Sequence, residues 1–142
     1  MAIKDGIRTL LLAQSSITTL APAQTVGSKS YGAIFVDKVK QGIVPPFIEI
    51  SRTGSDAMPA MDGTTGMKST EIDIDCWEWT EPKAEALATV VSEFLKDYSG
   101  SAGSDVIDSV LWEDTNDFKE PEQGGSDKWR YAVTLSFTIQ HH

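Results

Sequence analysis

The chain has 142 residues, 40% of them apolar, with 12 Lys and Arg against 21 Asp and Glu, a formal net charge of −9. That length and composition suit a single domain, residues 1–142, with one core. So acidic a chain lacks the basic surface that binding to nucleic acid or anionic membrane needs, although DNA could slide past it without sticking.

Cys76 is the only cysteine. It excludes an intramolecular disulfide and fits a reducing compartment. No apolar run approaches the ~20 residues of a membrane span. The opening "MAIKDGIRTLLLAQ" contains Asp5 and no convincing small-residue cleavage site, so it reads as a helix and not as a signal peptide.

In chain order, Ile3, Ile7, Leu10, Leu11, Ile17 and Leu20 recur at three- and four-residue steps. This spacing predicts one helix over 3–20, ended by Pro22. "YGAIFVD" (31–37) and "PFIEISR" (46–52) read as strands, with Pro45 and Pro46 at the entry of the second. Residues 53–69, rich in Gly, Ser, Thr, Pro and Asp, read as a long loop. The strand "STEIDIDCWEWT" follows. Next comes a helix, "EPKAEALATVVSEFLKDYSG", with Pro82 in its first turn and Gly100 past its end. A strand over 104–115, a second polar loop over about 114–127, and the alternating strand "WRYAVTLSFTI" (129–139) complete the chain. The predicted order is α-β-β-β-α-β-β. The fold class is α+β: a sandwich of a mainly antiparallel sheet with two helices packed on one face. Trp129, Tyr131, Val133, Leu135, Phe137 and Ile139 are expected to face Leu10, Leu11, Leu87, Val91 and Phe94 across the core.

On the strand 69–80, Ile72, Ile74 and Cys76 share one face, and Glu71, Asp73, Asp75, Trp77 and Trp79 share the other. Carboxylates two residues apart lie about 7 Å from one another, too far for one small metal ion to bridge easily. That distance falls within the range of a glycosidase acid/base pair, but no substrate platform accompanies it. Glu71, Asp73 and Asp75 therefore read as a solvated strand face. An acidic face of this kind repels phosphate, such as that of DNA, and does not bind it. Cys76 reads as a small core residue, and the only histidines lie at the C-terminus, in "IQHH", a pair too short to read as a purification tag.

"GTTGMKST" (63–70) departs from a phosphate loop, because Met67 separates Gly66 from Lys68 and a strand follows. Met58, Met61 and Met67 dot the 53–69 loop. They are either there by chance or adaptable contacts for a partner, which would order a loop that is mobile in the free protein. Trp77 and Trp79 read as a further subunit contact, since exposed aromatics are enriched at interfaces. No catalytic, cofactor or metal constellation is visible, and the chain reads as non-enzymatic.

The order of pieces resembles the tail-completion, or tail-terminator, family of long-tailed bacteriophages. The resemblance rests on the helix ending "SSITTLAP", the strand entry "VPPFIEIS", "STEIDIDCWEWT" leading into "EPKAEALATVVSEFL", the acidic "DVIDSVLWEDTNDFKEPEQGG" and the final "KWRYAVTLSFTIQ". It implies a virion protein of the tail neck, with no catalytic residue, cofactor or metal. It also implies a homohexameric ring that caps the head-proximal end of the tail tube, stops tube growth and meets the head-completion or stopper protein. DNA would pass through the lumen without specific binding. The alternative is a non-catalytic adaptor unconnected with a virion.

Overall fold

The computed structural model describes residues 3–57, 68–103, 105–121 and 129–142, with the side chains of all of them except 52–57, 68, 105, 118–121 and 129. The expected first helix is two helices, α1 (Ile3–Leu12) and α2 (Ser15–Leu20), hinged at Gln14, whose backbone is extended. The reason is angular. Ile17 lies six residues beyond Leu11, about 240° around an unbroken helix. The break brings Ile17 back to the core, where it, Ile7 and Leu11 are fully buried. Ser15, Ser16, Thr18 and Thr19 make the break easy, because their hydroxyls compete with the helical hydrogen bonds.

The strand expected at 31–37 divides as well. Strands β1 (Gln24–Val26) and β2 (Lys29–Tyr31) form a small hairpin around Gly27, which takes φ 66°. Strand β3 is only Ile34–Val36. The hairpin is fastened to the 37–46 connection by Gln24, whose amide donates to the Val44 carbonyl (2.6 Å) and accepts from the Val44 N–H (3.1 Å).

The main sheet has the order β3-β4-β5-β8-β7-β6, where β4 is Phe47–Ala57, β5 Lys68–Glu78, β6 Gly100–Ala102, β7 Asp105–Pro121 and β8 Trp129–His141. Every pairing is antiparallel except β3 with β4. Both regions expected to be loops are entered by strand. β4 continues to Ala57 and β5 starts at Lys68, and β7 runs on to Pro121 opposite Trp129. Ladder partners outweigh a polar composition here: residues 68–71 of β5, which hold the extension of β4, pair on their other side with 138–141 of β8, and the extension of β7 pairs with 129–134 of β8. Met58, Met61 and Met67 lie outside the described residues, as does the side chain of Trp129.

Helix α3 (Glu81–Leu95) starts at Thr80, whose hydroxyl accepts from the Lys83 N–H at 3.4 Å, with Pro82 in the first turn. It packs on β5 and β8, while α1 packs on β3, β4 and β6. Gly6 permits the second contact, because a Cβ there would sit 2.3 Å from the Ala102 carbonyl oxygen. The core between helices and sheet is formed by Ile34, Ile48, Ile50, Ile72, Ile74, Cys76, Val133, Leu135, Phe137 and Ile139 from the strands. Leu11, Leu87 and Val91 meet them from the helices, with Leu10, Phe94 and Tyr131 only partly buried. The fold is α+β, with the helices on one face of the sheet.

Candidate assembly surface

The other face of the sheet carries the residues that alternate with the core. Strand register sets them in rows. Glu49, Asp75 and Thr134 lie side by side, and so do Ser51, Asp73 and Ser136. Hydroxyls on β8 fix the carboxylates. Thr134 Oγ1 donates to Asp75 Oδ1 at 2.7 Å, and Ser136 Oγ donates to Asp73 Oδ1 at 2.8 Å. Further along, Thr138 Oγ1 donates to Glu113 Oε2 at 2.7 Å. Glu71, Asp73 and Asp75 thus share a face as the alternation predicts, with Glu71 exposed and the two aspartates half-buried.

Glu49 belongs to the same group. The alternation in "FIEIS" puts it on this face, but the single strand 71–75 does not reveal a neighbour across the ladder. Burial raises the Asp75 pKa above its ordinary value, against the Thr134 hydrogen bond, and the charge of Asp73 adds to the rise. Burial likewise raises that of Glu49, helped by Asp75 and Asp37 and opposed by Arg130. Two crowded carboxylates side by side make a concentrated patch of negative potential.

Trp77 departs from expectation. It lies on this face but is only 6% exposed. Its neighbours cover it: the Phe47 ring stacks at 5.9 Å between centroids with 20° between planes, and the Arg130 guanidinium lies 4.7 Å from the indole centre. Phe47 faces Trp77 directly across the β4–β5 ladder, a partner that the isolated strand pattern does not reveal. Trp79, beyond the end of β5, is half-buried. Cys76 is fully buried and its thiol is pushed far up by that burial, which leaves no usable thiolate.

A second feature is invisible in the sequence pattern. A β-bulge between Trp112 and Asp114 interrupts the β7–β8 register. The Trp112 side chain there is 44% exposed, with its indole N–H donating to the Asp114 carbonyl (3.0 Å) and to Thr115 Oγ1 (3.1 Å). It lines a groove of about 270 Å³ between α3 and β7, together with Glu85, Thr89, Asp117 and Leu135. Glu81, Glu85 and Asp117 bring carboxylate oxygens within 4.8 Å of one another at its rim. An earlier bulge between Ile107 and Ser109 shifts the alternation by one residue, so parity counted from buried Ile107 misplaces Trp112, which pairs in register with Phe137.

Buried thiol, hydroxyl-pinned aspartates and an open sheet face form no nucleophile–base pair. A family model described as "Tail completion protein gp17" matches residues 5–140. The chain belongs to this tail completion family. As a member it is a structural, non-enzymatic protein of the virion tail, which decides against an adaptor unconnected with a virion. No curated protein matches the chain. Among solved structures, a chain described as "Virion of native gene transfer agent (GTA) particle" shares the fold, with a TM-score of 0.65 and 15% identity over 99% of this chain and 96% of that one.

Proposed function

We propose that the protein closes into a ring, of six copies, on the head-proximal end of the tail tube. There it stops tube growth and joins the tail to a head-completion or stopper protein, while DNA crosses the lumen. The observation that carries this reading, beyond family membership, is the sheet face left open by the helices. It presents Glu49, Glu71, Asp73 and Asp75 on adjacent strands, with Asp73 and Asp75 held by β8 hydroxyls. Arg130, on the same face, is engaged over Trp77 and Phe47. Carboxylates lining or bordering a narrow passage exclude phosphate, so DNA slides and does not stick. Met58, Met61 and Met67, with Trp79, supply contacts to tube or neighbour. Trp77 instead braces the strands inside its own chain.

Electron microscopy of purified tail tubes with the added protein tests the ring. Closed six-fold rings on one tube end are expected, and single copies or an open helical array overturn the reading. Deleting Ala57–Gly63 is expected to leave the fold intact and abolish capping. Asp73→Asn with Asp75→Asn is expected to leave rings unchanged and slow DNA passage, more at low salt where screening is weaker. Binding of a divalent cation by that aspartate pair would overturn the repulsive role.

A further inference from the structure

The charges of this chain are segregated along its sequence. Residues 3–45, which build α1, α2, β1, β2 and β3, hold five basic and two acidic side chains. Residues 81–121, which build α3, β6 and β7, hold three basic and ten acidic ones. In the sheet β4, β5 and β8 lie between β3 and β7, while α1 of the first group crosses to pack on β6 of the second.

Each flank also carries an exposed apolar side chain beside its charges. On the β3 flank, Lys29 and Lys40 both approach the Tyr31 ring, at 5.6 and 5.9 Å from its centre, and neither pairs with a carboxylate among the described residues. Gln24 holds the adjoining Val44, which is 42% exposed. On the β7 flank, the groove beside the 44%-exposed Trp112 is rimmed by the converging carboxylates of Glu81, Glu85 and Asp117. Like charges gathered at one place repel, and an opposite charge delivered from outside relieves both clusters at once.

We propose that the occupant of the Trp112 groove is a second copy of this chain, docked by its Lys29–Lys40 flank with Val44 against the indole. Two copies meeting through the same flank would set like charge against like. The contact is therefore head to tail, the heterologous kind that repeats and either closes or runs on as a filament. The inference rests on the ring reading and gives that ring its subunit contact. The setting of Trp112 suits this arrangement: paired in register with Phe137 just before the bulge, its indole borders the groove, and the hydrogen bonds to Asp114 and Thr115 fix its pose.

The test uses two reversed full-length chains assembled with tail tubes: Lys29→Glu with Lys40→Glu, and Glu85→Lys with Asp117→Lys. All four side chains are exposed, so circular dichroism is expected to show both chains folded. Each alone is expected to lose rings on tube ends. An equimolar mixture is expected to restore them, because reversed and native flanks then alternate around an even-numbered ring. Rings from either reversed chain alone, or a mixture of folded chains that stays without rings, overturn the contact and leave the ring reading standing. A wild-type chain that forms no ring overturns both. Should a reversal fail to fold, Trp112→Ser and the neutral pair Lys29→Gln with Lys40→Gln take its place. Loss of rings is then expected from each, and rings unchanged from both overturn the contact.

Discussion

The two faces of the central sheet are built from the same alternation of residues, yet they solve opposite problems. On the helix side, Ile72, Ile74 and Cys76 meet Ile48, Ile50, Val133, Leu135 and Phe137 with essentially no exposed area, and each fully buried aliphatic side chain contributes about 1.5–3 kcal/mol. On the open side, the same strands place carboxylates beside hydroxyls and leave them accessible. One face holds the protein together, and the other is free to carry charge. The open face nevertheless has an aromatic corner of its own, Phe47 and Trp77 under the guanidinium of Arg130.

That corner offers the sharpest test of the contrast. Trp77→Ala is expected to cost about 3–5 kcal/mol in urea unfolding, as for a core aromatic. A loss below ~1 kcal/mol would show that the open face contributes nothing to stability, and would return Trp77 to the role of a subunit contact. On the covered face, Leu135→Ala is expected to cost about 2–5 kcal/mol, and a shift under ~1 kcal/mol would mean that the faces are assigned the wrong way round. The helix on that face depends on its cap. Thr80→Ala removes the hydroxyl that accepts from Lys83 and is expected to cost about 1 kcal/mol, seen as earlier amide exchange in the first turn of α3.

The smallest expected effect has the opposite sign. The pKa values of Asp75 and Glu49 are raised in the folded protein. Their favourable contribution is therefore complete only below the ordinary carboxylate range near pH 4 and is lost as pH rises through the raised values. Asp75→Asn keeps an oxygen for the Thr134 hydroxyl and removes the charge beside Glu49. It is expected to flatten this pH dependence and to raise stability at pH 7 by a few tenths to about 1 kcal/mol. Urea midpoints of both chains at pH 4 and pH 7 measure it. A variant less stable than wild type at pH 7 would show that the carboxylate is held comfortably, and that the open face bears no electrostatic cost.

Alternation alone makes the two faces legible in the sequence. It separates Ile72, Ile74 and Cys76 from Glu71, Asp73 and Asp75, and it places Val133, Leu135, Phe137 and Ile139 inside. Local signals likewise place α3 through Thr80 and Pro82. What stays hidden depends on partners distant in sequence. The reach of β7 to Pro121 is set by β8, the cover over Trp77 by Phe47 and Arg130, and the face that Trp112 takes by the bulge between Ile107 and Ser109. The break at Gln14 is present in the spacing, since Leu11 and Ile17 cannot share one side of a continuous helix. A run of apolar residues at approximate helical steps conceals it.

The position of β8 in the sheet also governs when this protein can exist as a folded object. Residues 129–141 lie between β5 and β7, and β5 and β7 pair with β8 and not with each other. During synthesis, therefore, the β3-β4-β5 portion and the β6-β7 portion have no ladder joining them until that last strand has left the ribosome. Until then the edges of β5 and β7 that β8 pairs stand open on either side of an empty slot, for as long as translation takes to reach it, at roughly 5–20 residues per second. The sheet is completed only by insertion of β8 into its middle, between β5 and β7. A chain stopped short of residue 129 keeps two unpaired edges of the kind that recruit strands from other molecules.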